Sequence, residues 1–247
     1  MKDGSLYADR VRKRFAKLEA FRDGEDTPPQ LSDPLHQLAA AILGAGEGEA
    51  AGRRALDLIF QRMIDWNEVR VSSPVEVAAV IGRSLPQAQT RCERLRRALN
   101  DIFEKENVVS LERVKSLRLR EARSYLASID AVDGYAVASV VLWSLGGHAI
   151  PVDDLMLKVL RKEELVHPEA TREEVQAFLE RAIAAVQAKS FCKALQHLAG
   201  PDKKQPAGSR KPAASRRRKT AGGGAQVKRA VSRPKDASRK KSDSRLS

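Results

Sequence analysis

Cysteine is scarce in this chain: only Cys92 and Cys192 occur in 247 residues. Two thiols cannot build a disulfide framework. They fit a reducing compartment, with a single Cys92–Cys192 bridge as the one pairing left open. Long apolar runs are missing as well. A membrane-crossing helix needs about 18 or more apolar residues in a row, and no such stretch exists, so no membrane span is expected. The opening text MKDGSLYADRVRKRF is charged and has no apolar leader region, which argues against secretion and for a cytoplasmic protein. The histidines, His36, His148, His167 and His197, are scattered without ligand spacing. They read as surface or turn residues, and no metal site is expected. No segment alternates apolar and polar residues over a useful strand length, and no internal repeat is visible. The remaining pattern is helical throughout, so the fold class is all-α.

The charge is placed unevenly. Residues 201–247 hold 16 lysines and arginines against 3 acidic residues, which accounts for the entire net charge of +13. Residues 1–200 are therefore neutral overall. The tail contains two valines, one leucine and no aromatic residue. It cannot bury enough apolar surface to offset the entropy of ordering it, so it is expected to be disordered.

The helical pattern divides the rest. Residues 5–21 form a charged helix with a partial apolar stripe of Leu6, Val11, Phe15 and Leu18, closed by the break DGEDTPPQ. Residues 1–32 are thus an amino-terminal helix and linker, and 33–200 a helical domain. Asp33-Pro34 and Ser73-Pro74 each pair a capping side chain with a proline in the first turn. Helices are predicted over 35–43, 49–65, 75–81, 86–106, 111–114, 119–129, 135–145, 154–164, 171–188 and 191–198. Trp66 and Trp143 are expected in the core.

The most informative segment is the run IDAVDGYAVASVVLWSLGGHAIPVD, residues 129–153. It reads as a short hairpin, an apolar helix, a glycine stop, an extended lead-in and an aspartate at the start of the next helix. This resembles the core of the endonuclease III (helix-hairpin-helix) superfamily of DNA base-excision glycosylases, whose pattern is L-P-G-V-G-x-K-T-A, an apolar helix, then V-D at fixed distance. The match needs no gap from Ile129 to Asp153. The resemblance implies a two-lobed helical glycosylase fold. In it the amino-terminal helices return to pack with residues beyond Asp153, residues of about 50–145 form the middle lobe, and Asp153 faces the cleft between the lobes.

The resemblance also assigns roles. Asp153 stands at the catalytic carboxylate position, where an anion activates the nucleophile and stabilises the oxocarbenium-like sugar left by the departing base. Taken alone, Asp153 is an ordinary helix N-cap, and the two roles are compatible. The lysine that forms a Schiff base in bifunctional members falls at Tyr135. A phenol cannot form that imine, so lyase activity by that route is not expected. Tyrosine here is similar to some monofunctional, adenine-specific members and would line the substrate pocket; on the residues alone it is a partly buried aromatic at a helix start. The general-acid glutamate of those members is replaced by Ala39, Ala40 or Ala41, with Glu47 and Glu49 lying beyond that helix. The hairpin positions are Ala131, Val132 and Asp133, where glycines would let backbone amides meet a phosphate. Gly134 follows and would restore the turn one residue later, while Asp133 would repel a phosphate. The segment 43–46 falls where a glutamine wedge enters duplex DNA, and glycine supplies no wedge. Four cysteines would be needed for the iron–sulfur cluster of many members. Only Cys192 lies in that region, so no cofactor is expected.

The tail supplies a second line. Arg216, Arg217, Arg218 and Lys219, then Lys228 and Arg229, then Arg239, Lys240 and Lys241 form basic clusters suited to polyanions. They predict sequence-tolerant, salt-sensitive DNA binding by a nucleoid-associated monomer, with RNA and acidic proteins as competing partners. Two readings follow. One is a monofunctional glycosylase using Asp153. The other is a non-catalytic relative that binds or compacts DNA through its tail. A helical protein-interaction scaffold is a third.

Overall fold

A computed structural model of the chain describes residues 4–19 and 33–199. They form eleven α-helices with no strand among the described residues. In chain order these are α1 (Gly4–Glu19), α2 (Pro34–Gly44), α3 (Glu49–Phe60), α4 (Trp66–Val71), α5 (Pro74–Ile81), α6 (Ala88–Glu106), α7 (Leu119–Ala127), α8 (Gly134–Trp143), α9 (Asp154–Lys162), α10 (Arg172–Ala182) and α11 (Ala188–Ala199). No helix among the described residues is long and apolar enough to cross a membrane.

Local chemistry sets most helix starts. Asp33, Asp65, Ser73, Asp133, Asp153 and Thr171 each accept a hydrogen bond from a backbone N–H of the turn they open. Each such cap stabilises its helix by about 1 kcal/mol. Ser73 and Thr171 complete reciprocal capping boxes with Glu76 and Glu174.

Two helices are apolar nearly all round and occupy the centre. Every residue of α8 from Tyr135 to Trp143 is buried, and in α2 only His36 is partly exposed. α2 packs against α3, α6 and α8. Its contact with α3 is made by glycines. A Cβ on Gly52 would sit 2.0 Å from the Ala40 carbonyl oxygen, and one on Gly44 would sit 2.9 Å from the Gly52 nitrogen. The two backbones touch, so α2 and the start of α3 are fixed relative to each other.

α1 packs on α10 and α11, burying Val11 and Phe15, and Phe15 meets Phe191 edge-on at 5.3 Å. Its arginines cover helix ends. Arg10 donates to the Glu164 carbonyl (3.2 Å), Arg12 to the Ala182 carbonyl (3.3 Å), and Arg14 pairs with Glu163 (3.0 Å). The Ala182 carbonyl belongs to the last turn of α10 and the Glu164 carbonyl lies just past the end of α9, where a cation is favoured. Leu6, expected in the apolar stripe, points outward instead.

Several predicted boundaries shift. The helix expected over 49–65 is two: α3 ends at Phe60, and Asp65 caps a separate α4 through the Glu68 amide at 2.8 Å. The Glu68 carboxylate in turn accepts from the Ile64 amide at 2.6 Å. α6 starts at Ala88 rather than Pro86, because Gln87 adopts a left-handed conformation (φ 53°). The helix expected over 171–188 stops at Ala182. Ile183 turns extended and buried, and α11 begins at Ala188 after a 3₁₀ turn, Ala185–Gln187. Trp66 is half-buried at the edge of the core, in a ring cluster with His36 and Phe60.

Candidate functional site

The site is built where the α7–α8 hairpin, the lead-in to α9 and the α2–α3 turn converge. In the hairpin, Ala131 takes the left-handed conformation (φ 62°) and the Val132 amide donates to the Ile129 carbonyl at 3.3 Å. The turn is therefore made at Ala131 itself. Gly134 does not restore it; it is the first residue of α8, with open space where a side chain would stand. α6 grips this hairpin. Arg94 donates to the Ala131 carbonyl (3.1 Å), Arg97 makes a two-pronged pair with Asp130 (2.8 and 2.6 Å), and Asp101 accepts from the Asp130 amide (2.9 Å). The Asp133 carboxylate caps α8 through the Ala136 amide and lies 3.6 Å from both Arg94 and Arg172. Its charge is met inside the protein, so it is a weaker repeller of phosphate than an isolated carboxylate would be.

α8 leads directly to Asp153. Gly146 reverses the chain with φ 65°, and the Gly147 amide donates to the Val141 carbonyl at 2.8 Å. Gly147 packs under Leu119, whose side chain would have to shift to admit a larger residue. Residues 148–152 then run without regular structure into the core, where Ala149, Ile150 and Val152 are fully buried. Asp153 follows with β-region backbone and caps α9.

The Asp153 side chain is 1% exposed. Its Oδ1 accepts from the Met156 amide at 2.8 Å and its Oδ2 from the Gly46 amide at 3.2 Å. Burial raises its carboxyl above the ordinary aspartate value, while the Met156 and Gly46 hydrogen bonds pull the other way. The expectation of a carboxylate facing an open cleft is thus corrected: the α2–α3 turn covers it.

Tyr135 lies in the second position of α8 and is buried at 2% exposure, deeper than a partly exposed helix-start aromatic. Its hydroxyl is held far above the usual phenol range by burial, then by the charges of Asp153 and Glu49, with a hydrogen bond to Ser139 opposing. The phenol stays protonated, able to donate but not to act as a base.

Glu49 lies beyond the end of the first core helix in sequence, as expected. In space it opens α3, buried, with its carboxylate taken by Arg53 and Gln196. Its nearness to Tyr135 was not legible, because it depends on the reversal at residues 45–48. The i,i+4 spacing of Glu49 and Arg53 was the one local signal that this carboxylate is held. Arg91 is the other residue sequence reasoning missed. It donates to the Leu43 and Ala45 carbonyls, both at 2.7 Å, and lies 3.7 Å from Glu47.

This helical fold is shared with solved structures. A non-covalent endonuclease III–DNA complex matches over 76% of this chain and 84% of its own, at 15% identity and a TM-score of 0.61. The chain has the endonuclease III fold. The Clostridium acetobutylicum 8-oxoguanine glycosylase/lyase in complex with double-stranded DNA matches over 80% of this chain and 69% of its own, at 17% identity and a TM-score of 0.58. The H. pylori 3-methyladenine DNA glycosylase matches over 76% and 94%, at 14% identity and a TM-score of 0.56. No family profile and no curated protein matches the sequence.

On the endonuclease III fold, Gly134, Tyr135 and Asp153 fall at one end of α8 and the start of α9. Arg216, Arg217, Arg218, Lys219, Lys228, Arg229, Arg239, Lys240 and Lys241 lie outside the described residues, as does the break DGEDTPPQ. The residues present do not fit an iron–sulfur cluster. The chain has two cysteines, one in α6 and one in α11, where four thiolates are required. Both are buried, and burial pushes the Cys92 thiol up to about 12 and the Cys192 thiol well above its ordinary value.

Proposed function

We propose that the protein binds duplex DNA and acts as a monofunctional base-excision glycosylase through Asp153, without lyase activity. The observation that carries this reading is the position of Asp153. It caps α9 directly after the hairpin–α8 unit, within electrostatic range of Tyr135, on a fold whose solved examples include DNA-bound glycosylases. In the proposed step, water's oxygen bonds to the sugar C1′ as the C1′–N bond breaks. The base leaves with that electron pair, and the water proton passes to the Asp153 carboxylate and on to the base. Burial gives Asp153 a higher proton affinity than an ordinary aspartate, which suits a group that must accept a proton. Tyr135 cannot attack the sugar as an amine would, so the reaction ends at an abasic site. The protein acts as a monomer without a cofactor, and the basic residues of 201–247 tether it to the nucleoid through phosphate contacts that carry no sequence preference.

One observation favours a second reading, a non-catalytic DNA-binding relative: both Asp153 oxygens are engaged by backbone amides and the side chain is sealed. The test is a panel of duplexes, each with one damaged base, assayed for abasic sites with wild type beside Asp153→Asn. Excision of at least one lesion, reduced about 10²- to 10⁴-fold by the substitution, is expected. No excision of any lesion, with salt-sensitive binding intact, would establish the second reading instead.

A further inference from the structure

The turn joining α2 to α3 has fixed ends and a glycine-rich middle. At one end Gly44 is pressed against the Gly52 backbone. At the other, Glu49 is buried and held by Arg53 and Gln196. Between them Gly46 and Gly48 both adopt positive φ, 77° and 90°, and open space surrounds the position of a side chain on either. Ala45 packs partly buried against the core, and the Gly46 amide reaches inward to Oδ2 of Asp153. Arg91 of α6, itself largely buried, holds the turn in place. Its Nη1 bridges the Leu43 and Ala45 carbonyls and its Nη2 faces Glu47. Glycine-rich segments between rigid anchors are the usual hinges of closing loops.

We infer that residues 45–48 form a lid closed over Asp153, with Arg91 as its latch. Opening requires that the Gly46 amide leave Oδ2, that Arg91 release two carbonyls and Glu47, and that the Glu47 amide leave the Gly44 carbonyl (2.9 Å), while the Gly48 carbonyl, which accepts from the Ala51 and Gly52 amides, stays with α3. The cap to Met156, which holds the carboxylate at the start of α9, stays in place. The lid bears on catalysis if Asp153 acts on a nucleotide as proposed above, but its existence is measured without DNA. Failure of the lid and failure of the glycosylase reading are therefore separate results. Arg91 is a positioning residue: it touches no reacting atom and acts through the turn.

The test is carboxyl footprinting of the full chain with a water-soluble carbodiimide and an amine. Asp153 is resolved from its exposed neighbour Asp154 by fragment-ion sequencing, and hydrogen exchange is followed at the Gly46 and Met156 amides. Two variants open the lid by different routes. Arg91→Ala removes the latch. Gly46→Ala places a side chain on a left-handed residue and strains the closed turn. Arg97→Ala, on the same helix but paired only to the hairpin Asp130, is the control. Asp153 labelling and Gly46 exchange are expected to rise by about fivefold or more in both lid variants, as about 1 kcal/mol of lost closure gives. The Met156 amide and the control should stay at wild-type values. Unchanged labelling in a folded lid variant overturns the lid. So does a joint rise at Gly46 and Met156 matching global unfolding. If Arg91→Ala does not fold, Gly46→Ala decides alone.

Discussion

The Gly46 amide donates to Oδ2 of Asp153 at 3.2 Å, joining residues 107 positions apart. The same carboxylate caps α9 through the Met156 amide at 2.8 Å. One buried side chain therefore starts a helix and anchors a turn from the other half of the domain.

This double role gives a pH signature. Burial raises the folded-state pKa of Asp153 above its ordinary value of 3.8, so the fold binds that proton more tightly than the unfolded chain does. The resulting stabilisation is fully present below the ordinary value and is lost as pH rises through the folded value. Asparagine keeps an acceptor for the cap and does not titrate. The unfolding free energy of wild type, measured by urea denaturation, should therefore fall relative to Asp153→Asn as pH rises from below 3.8. The fall is about 1.4 kcal/mol for each pH unit that separates the folded value from the ordinary one. Asp153→Ala removes the cap and does not titrate, so it should cost about 1–2 kcal/mol below the ordinary aspartate value and less as pH rises through the folded one.

What was legible in the sequence was what local chemistry decides. Asp33, Ser73 and Thr171 announce their helices because the cap and its partner lie within one turn. Asp153 was legible through its spacing from the hairpin. The closure of Gly46 on Asp153 was not, since no local pattern relates residues so distant. Nor was the pairing of Asp133 with Arg94 and Arg172, which reach it from two other helices. The break between α3 and α4 was missed for a different reason. Apolar periodicity runs on past Phe60, and the cap at Asp65 restarts the helix within it.

The α2–α3 contact yields a stability prediction. A methyl at Gly52 would stand 2.0 Å from the Ala40 carbonyl oxygen, and neither backbone is free to move. Gly52→Ala should destabilise the protein by about 3 kcal/mol, although alanine is the better helix former by about 1 kcal/mol. Thermal denaturation tests the sign: a neutral or raised Tm would mean that the helices separate easily and that the lid has no firm root.

The hairpin predicts the opposite sign. Ala131 occupies the left-handed region at φ 62°, which costs an L-residue about 1–2 kcal/mol. Glycine removes that strain at some cost in unfolded-chain entropy. Ala131→Gly should therefore stabilise the fold by about 0.5–1 kcal/mol in denaturant titrations. A loss of stability would show that the Ala131 methyl packs usefully, against the reading of a strained turn.

The basic tail predicts how DNA binding responds to salt. Residues 1–200 are neutral overall, and residues 201–247 carry the net charge of +13. Phosphate contacts release counterions, so the logarithm of the affinity for a duplex should fall linearly with the logarithm of salt concentration, with a slope of about −0.9 per contact. Replacing Arg216, Arg217, Arg218 and Lys219 together by glutamine in the full chain removes up to four such contacts. The slope should become shallower by about 2 to 4, with affinity lost alike for every duplex sequence, because phosphate contacts carry no base readout. Fluorescence anisotropy across a salt series measures both. An unchanged slope would show that these four residues touch no phosphate, leaving binding to the other basic residues of 201–247 or to the helical domain. In the helical domain Arg91, Arg94 and Arg97 of α6 are engaged with the α2–α3 turn and the hairpin, and binding through them would have to draw them out of those contacts.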